Sequence, residues 1–195
     1  MNRQITFRQY RSIDLTILLV ILSVCQFLSS LATRFWFPEQ LYVASPVAGA
    51  VALVMMRWSG YAAIHAAWGG VLYALLSGGT WQHILIYGAG NLLSLAALVM
   101  FRIFGKERIR QDAFLSLVLA LLTQLLMWLG RAGVAALLGW ETAACLGFAA
   151  TDVLSGLFTL LIVWIIRPMD GLFEDQKHYL LRMAREQKSE RGGQF

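Results

Sequence analysis

The sequence predicts an all-α integral membrane protein: a compact bundle of about six transmembrane helices with both termini in the cytoplasm. Three observations carry that prediction. The 195-residue chain is 58% hydrophobic and only 14% charged, whereas a soluble domain has roughly 45–50% apolar and about 25% charged residues. The apolar residues come in long blocks, and the mean hydropathy is +0.63. The basic residues fall in short stretches between those blocks, which is how membrane topology is written. A net charge of +5 gathered into one patch would suit nucleic acid. Dispersed between apolar blocks it does not, and nucleic-acid binding is excluded.

A helix needs about 20 apolar residues to cross the hydrocarbon core. The blocks that qualify are Leu15–Thr33, Leu41–Met56, Gly60–Ser77, Gln82–Phe101, Phe114–Leu138 and Ala143–Ile166. They divide the chain into a cytoplasmic segment (1–14), a six-helix domain (15–167) and a cytoplasmic, amphipathic and solvated tail (168–195). The second block is short, and a tight turn at Arg57-Trp58-Ser59-Gly60 joins it to the third. The first block is longer than the roughly 7–15 apolar residues of a cleaved signal, so it reads as a retained span.

The orientation follows from Lys and Arg. Arg3, Arg8, Arg11, Arg57, Arg102, Lys106, Arg108, Arg110, Arg167, Lys177, Arg182, Arg185, Lys188 and Arg191 fall on one side, and only Arg34 and Arg131 on the other half. The positive-inside rule places the larger group in the cytoplasm of a plasma membrane. The outer face then carries short loops, with Trp36, Trp81 and Trp140 at the level of an aromatic interfacial belt. The tail from Asp170 reads as an amphipathic helix whose Leu172, Phe173, Tyr179, Leu180, Leu181 and Met183 suit a membrane surface or a partner. Cys25 and Cys145, each inside an apolar block, read as small packing residues rather than a disulfide or a metal site.

Polar residues inside spans are costly and by default functional. His83, Tyr87 and Asn91 are spaced i, i+4, i+8, one stripe of the fourth span, and Gln124, Trp128 and Arg131 share one face of the fifth. Thr151 and Asp152 lie about one third of the way in from the outer end of the sixth. At about 1.5 Å per residue, Arg131 and Asp152 both sit roughly 10–14 Å below the outer boundary, on antiparallel neighbours, so the two charges can meet. Two readings follow: a structural Arg131–Asp152 pair that locks two helices, or a pocket open to the outside around a small polar or aromatic ligand. Gly69-Gly70 and Gly88-Ala89-Gly90 suggest close helix crossings of the small-residue kind. The chain shows no phosphate loop, zinc motif or nucleophile elbow. It is therefore expected to be no enzyme and to need no cofactor or metal.

The layout resembles the substrate-binding S components of energy-coupling factor (ECF) vitamin transporters, compact six-helix proteins that lack an ATPase of their own. YVASPVAGAVALVMMRWSGYAAIHAAWGGVLYALLSGG looks like the family's second and third spans, LIYGAGNLLSLAALVMFRIFGKER like its fourth span and basic loop, and GFAATDVLSGLFTLLIVWIIRP like its last span. The family's first span usually presents Ala-x-x-x-Ala to the coupling subunit, where this chain has Cys25-x-x-x-Ser29 and Ser29-x-x-x-Thr33. The resemblance implies a ligand held near the outer ends of the later helices and capped by the first outer loop. On this sequence that points to Trp36, His83, Tyr87, Asn91, Trp128, Arg131 and Asp152, with Gln124 added by the stripe on the fifth span. It also implies partners: a small-molecule ligand, a membrane coupling subunit and cytoplasmic ATPases.

The expected function is capture of a vitamin-like or other small metabolite from outside, with Arg131 and Asp152 anchoring charged groups while Trp128 or Trp36 stacks on a ring. The rival is a non-transport membrane scaffold of envelope assembly, which predicts no bound ligand.

Overall fold

The computed structural model describes residues 6–36 and 44–192. The rest of the first expected outer loop beyond Trp36, and the start of the expected second span, lie outside the described residues. Among those residues the chain forms helices joined by short turns, with no strand. They are α1 (Phe7–Trp36), α2 (Val47–Trp58), α3 (Ala62–Leu76) and α4 (Trp81–Gly90), which runs through a 3₁₀ stretch (Asn91–Leu98) into α5 (Val99–Ile103). Then come α6 (Lys106–Gln111), α7 (Ala113–Leu137), α8 (Thr142–Thr151), α9 (Val153–Ile166) and α10 (Gln176–Gly192). The first helix begins inside the segment expected to precede it.

Among the described residues, five helical stretches are long and apolar enough to cross a membrane: Phe7–Trp36, Val47–Leu76, Trp81–Ile103, Ala113–Leu137 and Thr142–Ile166. The second is not a rod. A Cβ added at Gly69 would lie 2.8 Å from Cγ1 of Val47, whereas in an unbroken helix those residues would stand about 33 Å apart. The chain folds back at Ser59, whose φ of 52° lies in the left-handed region that non-glycine residues rarely adopt. Length alone therefore counts one apolar helix where the chain makes a hairpin of α2 and α3.

α2 occupies the centre. Val51, Ala52, Val54, Met55 and Met56 are fully buried, as expected for a helix that is apolar all round. Leu22 of α1, Ala62 and Ala66 of α3, Leu119 and Met127 of α7, and Val163 of α9 pack in the same core. The outer faces are apolar too. Ile17, Val20 and Val24 on α1, Leu125 and Leu129 on α7, and Leu161 and Ile165 on α9 are exposed. An exterior this continuous in apolar residues is that of a membrane-embedded protein. Of the two thiols, Cys145 is buried and Cys25 lies on the exposed face.

Three glycines fix how closely helices cross. A Cβ at Gly70 of α3 would sit 2.1 Å from the Tyr87 carbonyl oxygen, and one at Gly130 of α7 would sit 2.0 Å from the Gly90 carbonyl oxygen. No side chain fits at either place, so α4 is pressed backbone to backbone against both neighbours.

At the basic end the tail departs from expectation: its first residues are part of the bundle. Arg57 is buried at the hairpin turn. Its Nε and Nη2 donate to the Asp14 carboxylate at 3.0 and 2.6 Å, and its Nη1 donates to the carbonyls of Gly171 and Leu172 at 2.7 and 3.0 Å. Trp58 adds an indole N–H to Asp14 at 2.5 Å. Phe173 is 1% exposed and belongs to the main core. Gln176 donates to the Gly171 carbonyl at 2.7 Å and accepts from the Tyr10 hydroxyl at 3.0 Å. Arg110 pairs with Glu174 at 3.0 Å.

Asp175 closes this clasp. It accepts from Lys106 Nζ at 2.7 Å, and its other oxygen caps α10 by accepting from the backbone N–H of Lys177 at 3.0 Å, an N-cap role suited to aspartate. Burial raises its pKa, but the Lys106 hydrogen bond and charge, together with the backbone N–H groups of His178 and Lys177, more than offset this and hold the carboxyl below its ordinary 3.8. A depressed folded value means that the contribution is complete above 3.8 and is lost as pH falls through the lower, folded value. Hydrogen exchange of residues 171–178, corrected for intrinsic rates, should therefore show protection at neutral pH that disappears in that acid range. Lys106→Ala should expose the same segment at neutral pH. Protection indifferent to both changes would mean that Asp175 holds nothing.

Candidate functional site

The helix crossings bring the polar residues together. Asn91 follows Gly90 and Arg131 follows Gly130, so the closest approach of α4 and α7 sets these side chains face to face. Arg131 Nε donates to Asn91 Oδ1 at 2.8 Å, and Asn91 Nδ2 donates to the Ala66 carbonyl at 3.1 Å. From the other side comes Asp152, at the break between α8 and α9, where φ of −100° and ψ of 15° interrupt the helix. Its Oδ2 accepts from Gln124 Nε2 at 2.8 Å, Trp128 Nε1 at 2.8 Å and Arg131 Nη1 at 2.7 Å. The i, i+4, i+7 face of α7 thus converges on one carboxylate oxygen. Thr159 Oγ1 donates to the Ser155 carbonyl at 2.8 Å and lies 3.3 Å from Gln124 Oε1. Asp152 Oδ1 has no hydrogen-bond partner among the described residues.

The Arg131 and Asp152 side chains are 4% and 2% exposed. Two ions at that depth persist only when paired and hydrogen-bonded, and this pair has donors from α7 and an acceptor, Asn91, from the 3₁₀ stretch after α4 around it. The charges expected to meet do meet.

Beside this network lies a cavity of about 370 Å³. Tyr73 and Ser77 of α3, Gly78 and Gly79 of the following turn, His83 and Tyr87 of α4, Trp140, and Ala144, Gly147, Phe148 and Thr151 of α8 line it. It sits where α3 ends and α4 and α8 begin, at the opposite end of the bundle from the Arg57 clasp. Its walls are aromatic and packed together. Tyr73 and Tyr87 have ring centroids 4.6 Å apart, Tyr87 and Phe148 5.8 Å, Trp140 and Phe148 6.2 Å, and His83 and Trp140 5.2 Å. Tyr87 joins cavity and network, because the Arg131 guanidinium carbon lies 4.7 Å from its ring centroid.

The expected site residues therefore separate into three groups. His83 and Tyr87 line the cavity. Asn91, Gln124, Arg131 and Asp152 are buried against one another, and half-buried Trp128 gives its N–H to Asp152, so none of these five is among the lining residues. Trp36 is 72% exposed and lines a separate apolar groove of about 500 Å³ with Leu28, Thr33, Ala44, Leu154 and Phe158. It is not brought to the others.

Sequence reasoning missed Tyr73, Ser77 and Phe148, and it placed Trp140 in an interfacial belt where the structure has a half-buried cavity wall. A signal existed: Ala144, Phe148 and Thr151 are spaced i, i+4, i+7, one stripe facing the loop ahead of α4. No family model, curated protein or solved structure matches the chain.

Proposed function

We propose that this protein is the substrate-capture subunit of an ECF-type importer in a plasma membrane. It crosses the bilayer six times, the α2–α3 hairpin supplying two crossings, with both termini and the Arg57 clasp in the cytoplasm. A vitamin-like or other small metabolite enters the aromatic cavity from outside. The chain performs no chemistry, and energy comes from a separate membrane coupling subunit and its cytoplasmic ATPases.

The observation that carries this reading is the cavity itself: concave, aromatic-walled, with a few polar groups, at the end of the bundle opposite the Arg57 clasp. Ligand sites in helix bundles have this character. The buried network beneath it has the role of a rigid floor. Asn91, Gln124, Trp128, Arg131 and Asp152 hold α4, α7 and α8 in register so that His83 and Tyr87 keep their places.

The test is affinity purification in mild detergent, with mass spectrometry of co-eluting proteins and metabolites. An ATPase pair with a membrane coupling subunit is expected, together with a small metabolite in stoichiometric amount. Recovery of envelope-assembly proteins instead, with no metabolite, would make the protein a scaffold and reduce its polar residues to devices of helix packing.

A further inference from the structure

The hydrogen-bonding groups of the cavity specify its ligand more narrowly than its shape does, on the reading that the cavity is the ligand site. The Thr80 backbone N–H donates to His83 Nδ1 at 3.2 Å. A backbone N–H can only donate, so Nδ1 is an acceptor and the neutral imidazole carries its proton on Nε2. His83 thus offers the cavity a donor. Of the four lining hydroxyls, those of Tyr73 and Tyr87 lie against each other, and the two aliphatic ones are committed as acceptors. Ser77 Oγ donates to the Tyr73 carbonyl at 2.9 Å, and Thr151 Oγ1 donates to the Gly147 carbonyl at 3.0 Å. Each has spent its only proton on its own helix and faces a ligand as an acceptor.

Charge narrows the class further. No Asp, Glu, Lys or Arg is among the lining residues. The nearby Arg131 is neutralised by Asp152 at 2.7 Å. It also covers one face of the Tyr87 ring, drawing on the π density that an aromatic cage needs to hold a quaternary ammonium ion. Within the lining a cation finds no counter-ion, and neither does a carboxylate; Arg34, outside the lining, is held on the Leu76 carbonyl. What remains favourable is an uncharged flat ring against Tyr87, Phe148 and Trp140, the last two with planes 23° apart, where aromatic contacts are strong.

We infer that the cavity takes an uncharged planar heterocycle of the lactam type, its ring carbonyl accepting from His83 Nε2 and its ring N–H donating to Ser77 or Thr151.

The full chain, purified alone into lipid nanodiscs, permits a test by equilibrium dialysis with defined probes. Quinazolin-4-one carries the required carbonyl and N–H; 3-methylquinazolin-4-one lacks the N–H; choline is a quaternary cation; betaine is a zwitterion. Quinazolin-4-one should bind, the N-methyl form about tenfold more weakly, as loss of one buried hydrogen bond predicts, and choline and betaine not measurably. His83→Phe keeps an aromatic ring but removes the donor. It should weaken quinazolin-4-one by about tenfold; because the Thr80 N–H also loses its acceptor, the dialysis is run below the variant's own thermal midpoint. Tighter binding of choline or betaine, equal binding of both quinazolinones, an unchanged affinity in His83→Phe, or no binding of any probe would each overturn the inference. Because no partner is present, these failures leave the importer reading to the co-purification. Conversely, lactam binding by a protein that recovers no ATPases sinks the importer and keeps the ligand class.

Discussion

Gly130→Ala is expected to destabilise the bundle by about 3 kcal/mol, the upper part of the range for overpacking a filled interior. Its Cβ would lie 2.0 Å from the Gly90 carbonyl oxygen and 2.9 Å from the Gly90 carbonyl carbon. Both are backbone atoms inside a helix, so no rotamer change relieves the contact and the two helices must separate. Separation also lengthens the Arg131–Asn91 hydrogen bond, because both residues adjoin the crossing glycines. Gly133 supplies the control on the same helix, three residues on, where an added Cβ meets nothing within 4 Å. Gly133→Ala should be neutral or gain up to ~1 kcal/mol from helix propensity. Unfolding in mixed detergent micelles measures both. Equal effects at the two positions would mean that α4 and α7 do not touch as described.

The second large effect concerns the buried ion pair. Arg131→Met leaves Asp152 as a buried carboxylate with only the Gln124 and Trp128 donors. Asp152→Asn leaves a buried guanidinium without its counter-ion. Each should cost about 3–5 kcal/mol, the usual result of removing one partner from such a pair. The double variant should be more stable than Arg131→Met alone, because the amide oxygen still accepts from Gln124 and Trp128 while no uncompensated charge remains. The same unfolding assay closes the cycle. Additive losses would show that the two residues stabilise the protein independently, and the salt bridge would then have no part in holding the helices together.

Much of this architecture was legible because bilayer physics writes it in the sequence. Long apolar blocks gave the helices, and the spacing of Gln124, Trp128 and Arg131 gave a face that the structure turns onto Asp152. Gly70 and Gly90 stood out as small residues in apolar helices, and both became crossings. Two things were not legible. The boundary between network and cavity depends on which way a side chain turns at the Asp152 break, and periodicity carries no information past a break. Hence the sequence left open whether Arg131 and Asp152 pair with each other or face a pocket, and the structure bonds them to each other beside the cavity. The docking of Gly171–Gln176 was hidden for another reason. Arg57 counted simply as one basic residue between spans, and nothing local to it reveals that Asp14 and two carbonyls, 43, 114 and 115 residues away, surround it. Phe173, in a charged stretch, likewise gave no sign of belonging to the core.

That last residue has a consequence for how the protein is made. Phe173 fills the main core, yet it follows the final apolar helix in the chain. When α9 has left the ribosome and entered the lipid, the bundle still lacks a buried side chain, and Arg57 still lacks two of its acceptors. Folding is therefore complete only after translation of the short stretch that follows α9 and supplies Phe173 and the two carbonyls.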